Sequence, residues 1–172
     1  ATVLSAFICT AATNGVFIKG GNNIELLDEA DTLIMDKTGT LTEGRPQLTS
    51  ILSLDEKIDD RKLVQFAAAA EETSTHPMAL AVLEKVKRMG WLIPKHSQAE
   101  VFVARGVQAK VGRQTIRVGN RPFMLENSVD LDNADDAIQQ LVRRGENILY
   151  VAKGKQLIGV LGVQDALREN MK

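Results

Sequence analysis

The 172 residues carry 21 Lys and Arg against 22 Asp and Glu and are 44% hydrophobic: enough apolar surface for a core, with no basic surface for nucleic acid and no polybasic patch for a membrane. The single cysteine, Cys9, excludes an internal disulfide, and no Cys/His spacing suits zinc, so the composition fits a reducing cytoplasm. The longest apolar run, Val3 to Ala12, is broken by Ser5 and Thr10 and falls short of the roughly 20 residues that a spanning helix needs.

In chain order, residues 1 to 14 have helix-compatible composition and stop toward Asn14-Gly15. Gly20-Gly21-Asn22-Asn23 breaks the chain and offers an N-cap for a short helix from Ile24 to Ala30. Thr32 to Met35 suits a buried parallel strand that delivers Asp36 to its C-terminal edge, where open α/β sheets keep their chemistry. Gly44-Arg45-Pro46 is expected to turn the chain, and Gln47 to Leu54 alternates as a strand. Two helices follow, Asp60 to Glu72 with an apolar stripe of Leu63, Phe66, Ala67 and Ala70, and Pro77 to Met89, with His76-Pro77 at the corner. Strands are expected near Glu100 to Val103, Val107 to Val111 and Thr115 to Val118. A helix from Asn133 to Arg144 is stopped by Gly145, and a hairpin pairs Asn147–Ala152 with Gln156–Val163 around Lys153-Gly154-Lys155. Cys9 reads as a packed small hydrophobe.

The segment Ile34 to Thr42, IMDKTGTLT, concentrates the chemistry. An aspartate after a strand commonly caps a turn. Here Gly39 allows a tight turn that presents N–H groups to an anion, Thr38 and Thr40 add hydroxyls, and Lys37 adds a cation, which together make a phosphate cradle around the Asp36 carboxylate. Such a carboxylate attacks phosphorus in line and forms an acyl phosphate when Mg²⁺ screens the repulsion between the two anions. Phosphatases of the haloacid dehalogenase type place a second aspartate two residues on, as general acid and base, where this chain has Thr38. Without that group water is poorly activated, which favours a persistent phosphoenzyme over simple hydrolysis.

The run DKTGTLT, Asp36 to Thr42, resembles the phosphorylation motif of P-type ATPases, the cation pumps. NGVFIKGG (Asn14 to Gly21) and THPMALAV (Thr75 to Val82) resemble segments of their heavy-metal-transporting, CPx-type class. The resemblance implies an α/β fold: the start of a haloacid-dehalogenase-like (Rossmannoid) phosphorylation domain with an inserted α+β nucleotide-binding domain, an antiparallel sheet flanked by helices. It divides the chain into a stalk helix and linker at 1–22, a first part of the phosphorylation domain at 23–47, the nucleotide-binding domain at 48–157 and a return strand at 158–172. It makes Asp36 the phosphoryl acceptor, with Lys37, Thr38, Gly39 and Thr40 around it. Mg²⁺ would be held by Asp36 and the backbone carbonyl of Thr38, and ATP by Glu71, His76, Gly106, Gly119 and Asn120.

By the same resemblance His76 lies beside the adenine ring and Glu71 near its amino edge; an imidazole can stack on the base while a carboxylate accepts the exocyclic N–H. Without its neighbours, His76-Pro77 reads as a capped corner. Ala104 departs from the first glycine of the family's Gly-x-Gly turn, and Thr75 from a glutamate frequent before the histidine. Arg105, within that turn, reads either as a phosphate contact or as a solvated arginine. Asp165 and Arg168 match an Asp-x-x-Arg pattern at the hinge between the two domains, while Asp165 alone also reads as an N-cap.

Residue 1 is not methionine, and neither a Thr-Gly-Asp nor a Gly-Asp-Gly-x-Asn-Asp sequence occurs. The expectation is a piece of a longer pump, on the cytoplasmic face of a membrane, whose partners are ATP, the transported cation via a membrane domain, the rest of the phosphorylation domain and the actuator domain, with no nucleic acid. Such a piece is expected to bind adenine nucleotide weakly and not to turn over. The competing readings are a capped dehalogenase-type phosphatase and a stand-alone nucleotide-binding module.

Overall fold

The computed structural model describes residues 2–20, 22–131 and 135–168. These form two compact units, 1–36 and 37–172. The first holds two helices, α1 (Thr2–Thr13) and α2 (Asn22–Asp28). After α1 the chain passes through Gly15 at φ +78°, with the Asn14 N–H bonded back to the Thr10 carbonyl, so the expected stop is where the backbone turns. Cys9 is exposed on α1 rather than packed.

Residues 31–36 form no strand, which corrects the reading of Thr32 to Met35; Leu33 and Ile34 are 81% and 92% exposed. A parallel strand exists only through hydrogen bonds to a neighbour, and among the described residues the first unit contains no strand to supply them. No described helix is long and apolar enough to cross a membrane.

The second unit is built on a six-stranded antiparallel sheet in the order β1-β6-β5-β4-β3-β2. The strands are β1 (Thr42–Ser53), β2 (His96–Phe102), β3 (Gly106–Val111), β4 (Gln114–Gly119), β5 (Asn147–Lys153) and β6 (Gln156–Leu167). Gly44 to Pro46 is not a turn but part of β1, where the register against β6 slips between Thr42 and Pro46. The expected domain limits at 47/48 and 157/158 fall inside β1 and β6, which pair with each other along most of their length.

Helices α3 (Asp60–Glu71) and α4 (Pro77–Arg88) cover one face of the sheet. Asp59 caps α3 by accepting from the Lys62 N–H, and the small face Ala67, Ala68 and Ala70 lets α3 lie close on Val118, Val151 and Ile158. Helices α5 (Arg121–Glu126) and α6 (Asp135–Arg143) cover the other face, where Phe123, Met124, Ile138 and Leu141 pack on Tyr150, Ala152 and Val160. Alternation along β5 divides the two cores: Leu149 and Val151 face α3, while Tyr150 and Ala152 face α5 and α6. Ile158 is an extra residue opposite the Val151/Ala152 step and adds one more side chain to the α3 face. The sequence reading omitted α5, although Asn120-Arg121-Pro122 is an N-cap followed by a proline in the first turn. The expected start of α6 at Asn133 lies outside the described residues.

Candidate functional site

A cavity of about 490 Å³ opens between the α3–α4 corner and the β2–β3 turn. Five residues singled out in the sequence line it together: Glu71, His76, Gly106, Gly119 and Asn120. Most of the remaining wall is apolar, with Met78, Val101, Phe102, Val103, Ile148 and Leu149.

Glu71 is the last residue of α3 and is only 5% exposed. Burial pushes its carboxyl up to about 7, against the milder opposing effect of a hydrogen bond with the Ser74 side chain. The group therefore changes charge near neutrality. His76 is the N-cap of α4: its Nδ1 accepts from the Met78 N–H at 3.3 Å, and Pro77 occupies the first helical turn. That bond leaves Nδ1 unprotonated, so the neutral ring carries its proton on Nε2. His76 is thus both the capped corner and a wall of the cavity.

Gly106 and Gly119 sit opposite each other in the β3–β4 register. A Cβ on Gly106 would lie 2.3 Å from the Val118 carbonyl oxygen and 2.7 Å from the Phe123 ring, and one on Gly119 would lie 2.5 Å from the Arg105 carbonyl oxygen. The chain's own backbone and Phe123 therefore require both glycines. Asn120 is similarly committed: its Oδ1 accepts from the Phe123 N–H to cap α5, and its Nδ2 donates to the Ala104 carbonyl. Ala104 adopts φ +60°, a conformation that glycine reaches without strain, which is the physical cost of its departure from glycine. Arg105 is fixed at the backbone by its N–H to the Phe102 carbonyl, while its guanidinium Nη1 meets Glu126 Oε2 at 2.7 Å. Arg105 therefore has a carboxylate partner on α5 that lies 21 residues further along the chain.

Asp36, exposed, is the last residue of the first unit, and Lys37 is the first of the second. Residues Lys37–Leu41 form one π-helical turn with Gly39 at φ +81°. The Gly39 N–H, expected to face an anion, donates instead to the Thr42 hydroxyl at 3.2 Å. Thr42 was not singled out, yet it is 1% exposed and central here. Its Oγ1 lies within hydrogen-bond reach of both the Lys37 carbonyl and Asp165 Oδ2, so its single proton serves one of them.

Asp165 also accepts from the Gly44 N–H at 3.1 Å and the Arg45 N–H at 3.0 Å. Arg168 donates to the Thr42 carbonyl at 3.1 Å and the Gly39 carbonyl at 2.8 Å. The two residues at the end of β6 thus clamp the turn that follows Asp36 in sequence. Asp165 caps no helix: its carboxylate is spent on β1. Among the described residues no cluster of three His, Cys, Asp or Glu side chains could hold a metal ion.

The sequence model of the haloacid dehalogenase-like hydrolases matches residues 30–172. The copper-exporting P-type ATPase of Bacillus subtilis (strain 168) is 33% identical over 162 residues, covering 94% of this chain and 20% of that protein. The silver exporting P-type ATPase of Salmonella typhimurium is 35% identical over 157 residues, 91% of this chain and 19% of that protein. Among solved structures, a zinc-transporting PIB-type ATPase in the E2.Pi state superposes with a TM-score of 0.82 at 28% identity, covering 98% of this chain and 27% of that one. The chain spans about a fifth of the length of the curated relatives it matches. It belongs to the haloacid dehalogenase-like hydrolases, and the members it is similar to are heavy-metal P-type ATPases.

Proposed function

We propose that this chain is the ATP-binding and phosphorylation segment of a heavy-metal-transporting P-type ATPase. The observation that carries the reading is the cavity, which gathers Glu71 and His76 from the α3–α4 corner with Gly106, Gly119 and Asn120 from β3, β4 and the start of α5. An apolar slot with one imidazole and one buried carboxyl suits a neutral, flat base with an exocyclic amino group. The His76 ring stacks on adenine, and the Glu71 carboxylate accepts from its amino N–H.

The reaction is phosphoryl transfer. A carboxylate oxygen of Asp36 forms a bond to the γ-phosphorus of ATP, the bond from that phosphorus to the bridging oxygen breaks, and ADP leaves with the electron pair. Mg²⁺, when bound, offsets the negative charge of the two anions. It is usually held by one or two carboxylates together with phosphate oxygens and waters, and the exposed Asp36 carboxylate and the Thr38 carbonyl are oxygen donors of that kind. Thr38 lacks the carboxyl that a phosphatase uses to activate water, so the acyl phosphate persists long enough to drive cation transport.

Isothermal titration of the chain with ATP is the direct test. Binding is expected, with His76→Ala weakening it on the order of tenfold through loss of base stacking. Absence of ATP binding, or equal affinity in the variant, would remove the reading.

A further inference from the structure

Arg105 is the only Lys or Arg that lines the cavity, among the described residues. It stands at the exposed mouth, its side chain 56% accessible, whereas Glu71 is buried. The cavity is therefore polarised, with an uncharged or singly anionic floor and a cationic rim. The cation is already engaged: Nη1 of Arg105 meets Glu126 Oε2 at 2.7 Å, and the carboxylate is itself 50% accessible. Glu126 ends α5, where a negative charge opposes the helix carbonyls, so Arg105 is its compensating partner. An exposed pair of this kind is weak and easily exchanged for a stronger anion.

We propose that Arg105 is the residue that reads the phosphate chain of the nucleotide and that Glu126 competes for it, holding the guanidinium at the mouth until a di- or triphosphate displaces the carboxylate. The guanidinium fork matches phosphate oxygens in bidentate geometry. The backbone on either side is fixed, with the Arg105 carbonyl accepting from the Asn120 N–H and Asn120 Nδ2 bonded to the Ala104 carbonyl, so exchange requires only a side-chain rotation. The pair acts as an anion gate: adenosine enters without disturbing it, while ADP and ATP must break it and gain the stronger contact.

This rests on the cavity being the nucleotide site, and the test separates the two claims. ATP, ADP and adenosine are titrated into the unaltered chain and into Arg105→Ala, Arg105→Lys and Glu126→Gln, and the ratio of ATP to adenosine affinity is read. The ratio is expected to fall on the order of tenfold in Arg105→Ala and less in Arg105→Lys, and to rise on the order of twofold to fivefold in Glu126→Gln, which frees the guanidinium. A ratio unchanged in Glu126→Gln and in both Arg105 variants, with adenosine still bound, overturns the gate alone. Failure of the unaltered chain to bind either compound overturns the site and the gate together. If Arg105→Ala does not fold, Arg105→Lys and Glu126→Gln still decide the question.

Discussion

Glu71 shows how one residue couples the site to the fold. It ends α3 with its carboxyl buried, and loss of water raises its pKa from 4.5 to about 7. Because the folded state holds this proton more tightly than the unfolded one, folding binds a proton between those two values. The contribution of Glu71 to stability is full below pH 4.5 and declines as pH rises through 7, by about 3 kcal/mol at most. Urea unfolding at pH 5 and pH 8 should show the unaltered chain losing more stability across this interval than Glu71→Gln, which cannot ionise. Equal losses in the two proteins would show that burial does not hold the proton. In the proposed adenine site the same ionisation makes Glu71 a stronger acceptor for the amino group, so the charge that would recognise the ligand is the charge that costs stability.

At the scale of elements, β1 and β6 do more than pair. Their ends are joined by the side chains of Thr42, Asp165 and Arg168, which carry the hydrogen bonds that the strand ladder drops where the register slips between Thr42 and Pro46. The Asp165→Ala change removes the acceptor of the Gly44 and Arg45 N–H groups and a partner of the buried Thr42 hydroxyl. A loss of about 1–3 kcal/mol is expected, and native-state hydrogen exchange should show lost protection at Gly44 and Arg45 while Val160 and Leu161 keep theirs. Unchanged protection at the two amides would mean that the ladder alone holds the turn. Glu146, 8% exposed, plays a comparable part further along: the hydroxyls of Thr49 and Ser50 donate to its two carboxylate oxygens at the second register slip of β1.

For the whole molecule, the decisive fact is where the buried apolar residues lie. Both hydrophobic clusters draw on residues from Leu48 onward, one on each face of a single sheet. A chain beginning at Lys37 is therefore expected to unfold cooperatively and to bind ATP within about twofold of the longer chain, since every residue lining the cavity is retained. It would lack Asp36, the proposed phosphoryl acceptor. Thermal unfolding and titration of this shortened chain measure both outcomes, and a molten or non-binding product would show that residues 1–36 contribute to the fold of the sheet.

Several features were legible in the sequence because their causes are local. DKTGTLT carries the proposed chemistry in residue types at fixed spacing; His76-Pro77 opens α4 through its own cap; the apolar period along α3 marks its buried face. Other features depend on residues far apart in the chain, and only the tertiary structure decided them. Residues 32–35 have the apolar run of a buried strand, but a strand is made by its neighbours, and the unit that holds them supplies none among the described residues. Gly44 to Pro46 looks like a turn until Asp165, far along the chain, captures two of its N–H groups. Gly106 and Gly119 are demanded less by a ligand than by each other and by Phe123, and Arg105 gains its partner only because α5 places Glu126 beside the β2–β3 turn. Sequence by itself determined where the proposed reacting group and the proposed class of ligand come from, through residue types at fixed spacing; burial and long-range pairing decided the charge of Glu71, the engagement of Arg105 and the clamp on the turn after Asp36, because desolvation and hydrogen-bond competition exist only once the chain has folded.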